Sequence, residues 1–225
     1  MRDFLMKKQF FQNIMIRTMV ASLLLLQGCS KNITKQSVVL REDAEDGVAS
    51  NMIAKHRDGY YVGKLVRPFG GSNVIGNFNN TRLTIELDTL PPHNMIAVSF
   101  DLYIHDNWEG NNIGQWGIVD AWNINVDDWL QFSTNFSNNP AYSQAFPNWT
   151  GIGGSMPAKG NAVDTTLTGI CLFDRSANHT SKYRISFNRP HTRNGVRIDL
   201  SDAAQDYICN RSWSIDNVIV KVITN

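Results

Sequence analysis

The stretch MIAVSFDLYIHD, residues 95–106, decides the fold class, because its apolar residues recur at every second position. One face carries Ile96, Val98, Phe100, Leu102 and Ile104. Successive side chains of a β-strand point to opposite sides of the sheet, so this period of two is typical of a half-buried strand. The stretch therefore predicts a strand with one face in an apolar core and the other outside it.

The same alternation recurs in shorter stretches at 83–87, 122–126, 130–136, 183–187 and 196–200. Clusters of Asn, Gly, Pro and Asp separate them, as turns between strands require. We find no stretch with the periodicity of an amphipathic helix. The sequence thus predicts an all-β fold, an antiparallel jelly-roll sandwich of two packed sheets.

One connection, 137–163, is too long for a simple hairpin turn. It carries Tyr142, Phe146 and Trp149 among prolines and glycines. Two interpretations are open. The aromatic side chains either face solvent and bind a ligand, or fold back and cap one end of the sandwich.

The N-terminus has the features of a secretory signal: a basic start, a short apolar run over 19–26, and Gly28 directly before Cys29. This order resembles a bacterial lipobox, in which the cysteine is acylated after cleavage. The alternative is an ordinary signal peptide with an incidental cysteine. We predict a lipoprotein signal peptide over 1–28, a tether over 29–36 and the sandwich domain over 37–225. Ser30 after the lipidated cysteine resembles the sorting pattern of Gram-negative outer-membrane lipoproteins.

The net charge of the chain indicates which partners to expect, and its cysteines indicate a possible disulfide. Cleavage before Cys29 leaves 17 basic (21 − 4) and 19 acidic (20 − 1) side chains, a formal charge of −2. A nearly neutral chain argues against a nucleic-acid partner, which needs a basic stripe. The remaining cysteines, Cys171 and Cys209, form one candidate disulfide in an exported protein; two free buried thiols are the alternative.

An acidic turn opens the domain, since Asp43, Glu45 and Asp46 lie within four residues. Such close carboxylates repel one another unless they are solvated or share a cation. Calcium binds oxygen ligands of this kind. Asp216, directly before the last apolar run, is the candidate carboxylate from the other end of the chain. The alternative is that Asp216 caps a turn through backbone hydrogen bonds.

Three segments carry a family resemblance: DAEDG at 43–47, SFDLYIHDNWEGN at 99–111 and SWSIDNVIV at 212–220. Their order resembles that of jelly-roll domains related to carbohydrate-binding modules and MAM domains. The resemblance implies a structural calcium ion held by Glu45 and Asp216, with Asp43 or Asp46 as further ligands. It also implies binding of a glycan or a surface protein. Ala44 stands where these domains usually have an aromatic residue.

The sequence indicates catalysis less strongly than it indicates binding. Asp101, Asp106 and Glu109 lie close in sequence and could serve a glycan-cleaving hydrolase, but the carboxylate spacing of laminarinase-like sandwich enzymes is missing. No G-x-S-x-G elbow and no histidine pair at metal-ligand spacing occurs. We therefore predict a protein that is not an enzyme.

The chain has six tryptophans, and exposed indole rings can stack on sugar rings. Trp122 and Trp213 alternate with apolar residues and are predicted to lie in the core. Trp108, Trp116 and Trp149 lie beside Asn and Gly and are the candidate ligand platform, with packing as the alternative for each.

Together these patterns predict a non-catalytic lipoprotein of the outer membrane, anchored through its N-terminal lipid. Its calcium-stabilised domain would bind a glycan or a surface protein. A hydrolase of sandwich fold and a purely structural envelope lipoprotein are the alternatives.

Overall fold

The computed structural model describes residues 34–113, 119–148, 155–171, 176, 179–203 and 207–224. These residues form twelve β-strands. The strands are β1 (Lys35–Glu42), β2 (Met52–His56), β3 (Val66–Phe69), β4 (Ser72–Phe78), β5 (Thr81–Leu87), β6 (Met95–Asp106), β7 (Ala121–Val126), β8 (Trp129–Asn135), β9 (Asp164–Leu167), β10 (Thr180–Pro190), β11 (Val196–Asp202) and β12 (Arg211–Thr224). Within this part of the chain, no helix has the length and apolar character needed to cross a membrane.

The strands form two antiparallel sheets. The order in the seven-stranded sheet is β3-β4-β12-β6-β10-β9, with β1 also paired to β12, and the order in the five-stranded sheet is β2-β5-β11-β7-β8. The predicted all-β sandwich of two antiparallel sheets is confirmed. The lipoprotein signal, Cys29 and most of the tether lie outside the described residues, and β1 already begins at Lys35.

The core lies between the sheets. All five apolar residues of the β6 inner face are buried, because they pack in one core with residues of the five-stranded sheet. β6 is a central strand, paired with β10 and β12 on its two edges. Trp122 of β7 and Trp213 of β12 meet edge to face, with ring centroids 5.8 Å apart. Both tryptophans are fully buried, so the prediction that they belong to the core is confirmed.

The first and last strands lie side by side. β1 pairs with the second half of β12, from Val218 to Thr224, and β4 pairs with its first half, from Trp213 to Ile215. Asp216 and Asn217 lie between these two partners, where the β12–β6 register shifts. Asn217 has a φ of 53°, a left-handed conformation that asparagine tolerates better than most residues. The acidic turn that follows β1 therefore leaves the sheet beside Asp216.

Two hydrogen bonds mark the two ends of the sandwich. At one end, the Trp213 indole donates to the Asp202 carboxylate over 2.8 Å; we call this the Asp202 end. At the other end, Lys35 pairs with Thr224, whose hydroxyl donates to the carbonyl of Pro92 over 3.0 Å; we call this the Lys35 end.

Leu130 departs from its predicted position. The alternation over 130–136 predicts that Leu130 shares the buried face of Phe132, but Leu130 is 63% exposed while Phe132 is fully buried. A register shift between Ile124 and Asn125 inserts an extra residue into β8. Such a bulge rotates the strand before it, so Leu130 faces solvent.

The structure also describes the predicted disulfide and part of the long 137–163 loop. Cys171 and Cys209 form the predicted disulfide, with their Cα atoms 4.9 Å apart. In the described part of the 137–163 loop, Phe146 folds back and contacts Phe136 and Tyr183, with both centroid distances at 5.0 Å. This arrangement agrees with capping.

Candidate functional site

The acidic turn begins beside Asp216 on the seven-stranded sheet, because Glu42 pairs with Val218. Burial of the Asp216 carboxyl is the largest cause of its raised pKa. The negative charge of Asp101 raises this pKa further, and that of Asp43 makes the smallest contribution. Asp216 thus has two neighbouring carboxylates, one of them from the turn that the sequence indicated.

Asp101 and Asp216 lie directly opposite each other on β6 and β12. The Asn217 side-chain amide donates to both carboxylates, over 3.1 Å and 3.0 Å. Lys182 and Arg184 pair with Asp101 at 2.9 Å and 3.1 Å. Burial alone would raise the pKa of Asp101, but these two cations hold it below its usual value.

Glu45 is engaged elsewhere. Its carboxylate accepts hydrogen bonds from the Ser72 hydroxyl and from the backbone and side-chain amides of Asn73, and these bonds lower its pKa. Asn73 lies two residues before Ile75, which pairs with Ile215, so Glu45 and Asp216 occupy the same region of the sheet.

The predicted ligands therefore fit a calcium ion only in part. Asp43 and Asp216 are neighbours, whereas Glu45 is directed to Ser72 and Asn73, and Asp46 is exposed. Over the described ranges, no three His, Cys, Asp or Glu side chains are grouped as a metal site would require.

The tryptophan platform needs a correction. Trp108 is fully buried, and its indole donates to the Ser212 carbonyl over 2.8 Å. A ring that is packed on all sides cannot stack on a sugar, so Trp108 is a core residue. Trp116 and Trp149 lie outside the described residues.

The candidate catalytic carboxylates are held by other residues. Asp101 is in the ion pairs described above. Asp106 is fully buried and accepts a hydrogen bond from the Ile170 backbone over 3.3 Å. Glu109 is partly exposed and lies 3.7 Å from Arg211, which also pairs with Asp120.

An open groove lies at the Asp202 end, where sequence reasoning placed no site. It has a volume of about 540 Å³ and is lined by residues 55–57, Gly59, 80–82 and 201–203. The ends of β2 and β11 and the start of β5 form its walls. The Asp202 carboxylate fixes the β4–β5 turn, because it accepts hydrogen bonds from the backbone amides of Asn80 and Thr81.

The turn after β2 forms the groove's rim. The Arg57 amide donates to the Asn80 carbonyl over 2.8 Å, which joins this turn to the β4–β5 turn. The turn carries two exposed tyrosines. Tyr60 stacks on His56 with ring centroids 4.5 Å apart, and the Lys55 ammonium lies 5.5 Å from the centroid of the Tyr61 ring.

The sequence analysis did not identify these tyrosines and cations as site residues, although the stretch KHRDGYY at 55–61 contains a pattern that indicates them. An Asp-Gly turn followed by adjacent aromatic residues presents both rings near the turn. Tyr60 is 57% exposed and Tyr61 is 69% exposed.

Comparison with known proteins adds limited information. No protein-family model matches the chain, and no curated protein matches it in sequence. Among solved structures, it is similar to the K3 cleaved adhesin domain of Lys-gingipain from Porphyromonas gingivalis w83, with 14% identity, a TM-score of 0.42, and coverage of 82% of this chain and 99% of that chain.

Two carbohydrate-binding modules are also similar. One is a CBM28 specific for non-crystalline cellulose, with 20% identity, a TM-score of 0.41, and coverage of 84% of this chain and 95% of that chain. The other is a family 35 module from Clostridium thermocellum, with 11% identity, a TM-score of 0.34, and coverage of 83% and 97%. At such identities and TM-scores, these similarities do not assign a ligand to this chain.

Proposed function

We propose that this protein is a non-catalytic, lipid-anchored envelope protein whose β-sandwich domain binds glycan in the groove at the Asp202 end. The observation that carries the proposal is the groove itself, with polar side chains along its walls. Two exposed tyrosines lie next to it, because Tyr60 stacks on His56 and Tyr61 lies beside Lys55, and both His56 and Lys55 line the groove. Its volume of about 540 Å³ lies in the range typical of small-ligand sites.

The chemistry of the groove suits a saccharide. A sugar ring has an apolar face and a polar edge, and an exposed tyrosine offers both an apolar ring and a hydroxyl. Asn80, Arg82 and Ser201 line the groove and supply hydrogen-bond donors and acceptors. The backbone of the β4–β5 turn is already fixed by Asp202, so a ligand does not have to order this turn.

An N-terminal lipid anchor is part of this proposal. β1 begins at Lys35, at the end away from Asp202, so the chain enters the domain at the end opposite the groove. Replacement of Cys29 by serine should abolish acyl labelling in cells, and continued labelling would refute the anchor.

We also propose a bound calcium ion between the acidic turn and β12. Asp43 and Asp216 would hold it, and Asp46 and Glu45 could join only after their side chains turn toward it. The ion would neutralise carboxylates that now raise the pKa of Asp216. Calcium should raise the melting temperature of the wild type and leave that of Asp216→Asn unchanged; equal responses of the two proteins would remove the proposed site.

A glycan array tests the binding function. We expect the full chain to bind at least one glycan, and the variant Tyr60→Ala/Tyr61→Ala to lose that binding at an unchanged melting temperature. Trp129→Ala is the matched control, because Trp129 is 68% exposed and lies at the Lys35 end, opposite the groove. Loss of binding in the control but not in the tyrosine variant would place the site elsewhere.

Glycan cleavage is the second candidate, and one observation favours it. Asp120 is a buried carboxyl whose pKa is raised by burial, and Arg211 joins it to the more exposed Glu109. Two carboxyl groups in one site, one of them with a raised pKa, suit acid–base catalysis. Polysaccharide turnover that is abolished by Glu109→Gln without loss of fold would favour this enzyme. A purely structural role predicts neither turnover nor glycan binding.

A further inference from the structure

The groove at the Asp202 end carries an excess of positive charge. Lys55, Arg57 and Arg82 line it, and Asp202 is the only carboxylate among its lining residues. None of the three cations forms an ion pair with a residue in the described ranges. Arg197, on β11 of the same sheet, differs from them because it pairs with Asp199 at 3.1 Å.

Two of these cations are held next to each other. Lys55 on β2 lies directly opposite Arg82 on β5 in the antiparallel ladder. Both side chains are exposed. Like charges in directly opposite positions destabilise a sheet, so the fold maintains a repulsion that an anionic ligand would relieve.

The Asp202 carboxylate offsets only one of these three positive charges. One of its oxygens accepts a hydrogen bond from the Asn80 amide over 2.9 Å, and the other accepts from the Thr81 amide and the Trp213 indole. These hydrogen bonds fix the position of the carboxylate, and the lining keeps a net positive charge. The guanidinium groups of Arg57 and Arg82 suit carboxylate and sulfate groups, which they can bind through two parallel hydrogen bonds.

We propose that the groove selects an acidic polysaccharide, one that carries carboxylate or sulfate groups on its sugar rings. This inference rests on the proposed glycan-binding function and specifies its ligand class. The anionic groups would pair with Arg57 and Arg82, and the ring faces would contact Tyr60 and Tyr61. A polysaccharide is favoured over nucleic acid because the positive charge is local to one groove, while the whole chain has a formal charge of only +1.

Calorimetry on the full chain, purified in detergent, tests the proposal. The probes are oligogalacturonate, dextran sulfate, neutral dextran, a DNA duplex and polyglutamate, each at low and high salt. We expect one or both acidic saccharides to bind, with an affinity that falls as salt rises. Whether the carboxylate or the sulfate probe binds identifies the anionic group.

The variant Arg57→Gln/Arg82→Gln should weaken this binding by tenfold or more, since hydrogen bonds to charged groups are the stronger ones. Lys35→Gln/Arg41→Gln is the matched control. It removes the same charge from β1, outside the groove, and should bind within twofold of the wild type. Melting temperatures of both variants establish that each is folded.

The remaining outcomes distinguish a failure of the acidic-ligand inference from a failure of the proposed glycan-binding function. If neutral dextran binds as well as the acidic saccharides and Arg57→Gln/Arg82→Gln has no effect, the acidic ligand is wrong and glycan binding stands. If no saccharide binds here or on a glycan array, both fail. If DNA or polyglutamate binds as tightly as the saccharides, the groove is a general anion site and the saccharide assignment is overturned.

Discussion

Asp216 lies directly opposite Asp101 in the β12–β6 ladder, and the side-chain amide of Asn217 donates a hydrogen bond to each of the two carboxylates. Opposed carboxylates repel each other. The fold tolerates this pair because Lys182 and Arg184 neutralise Asp101 and because Asn217 joins both acids. This small network lies where β1 and β4 meet the edge of β12.

Replacement of Asn217 tests that network. Asn217→Ala removes both hydrogen bonds and places an alanine at a φ of 53°, so we expect a loss of about 2 kcal/mol in the free energy of unfolding. Asn217→Gly relieves the backbone strain but still lacks the amide, and its stability should lie between those of wild type and alanine variant. Urea denaturation measures all three, and equal stabilities would show that the amide contributes nothing.

The raised pKa of Asp216 predicts a specific dependence on pH. The folded protein holds this proton more tightly than the unfolded chain does, so stability should fall as pH rises from the unfolded value of 3.8 through the raised folded pKa. In metal-free buffer at pH 7, Asp216→Asn should therefore be more stable than wild type. The difference should shrink as the pH falls below the unfolded value of 3.8, because the aspartate is then protonated in the folded and the unfolded chain. A variant that is less stable at pH 7 would contradict this origin of the shift.

The disulfide should account for a large share of the stability. It joins Cys171 and Cys209, which are 38 positions apart, and closing a loop of this size is worth about 4 kcal/mol in the chain-entropy model. Cys171→Ser/Cys209→Ser should lose a comparable amount in urea denaturation. The comparison belongs in a Cys29→Ser background, which removes the third thiol. No change in stability, together with free thiols in the unreduced parent, would show that the bond does not form.

Replacement of Trp108 distinguishes a packing role of this residue from a ligand-binding role. Because its ring is buried and its indole donates to the Ser212 carbonyl, Trp108→Phe should destabilise the fold by about 2 kcal/mol and leave saccharide affinity unchanged. The exposed Trp129 gives the matched case, and Trp129→Ala should change stability by no more than about 0.5 kcal/mol. If Trp108→Phe weakened saccharide binding without a loss of stability, Trp108 would be a ligand-binding residue and the packing role would be wrong.

Much of the fold was predictable from the sequence because the period of two marks both the strands and their buried faces. The inner face of β6 follows it from Ile96 to Ile104. The failure at Leu130 has a local cause, since a bulge in β8 changes the phase of the alternation and leaves no mark in the hydrophobic pattern. The pairing of β1 with β12 was also predictable, because the two ends of a sandwich domain commonly lie together.

The candidate site was less predictable, because side-chain partners depend on tertiary contacts between distant residues. Nothing near Glu45 in the sequence indicates that Ser72 and Asn73 bind its carboxylate. Trp108 follows an Asp-Asn pair, which suggested a loop, yet its ring inserts into the core. The groove forms only when β2, β5 and β11 align, so its cations lie together in space while their strands are far apart in sequence.

Mapping of amide chemical shifts during a saccharide titration tests the central claim most directly. With oligogalacturonate added to the ¹⁵N-labelled protein, we predict that the perturbed amides cluster at 55–61, 80–82 and 201–203 and are absent in the variant Tyr60→Ala/Tyr61→Ala. Perturbations centred on Trp129 or on the outer face of the seven-stranded sheet, with the groove unaffected, would contradict the account.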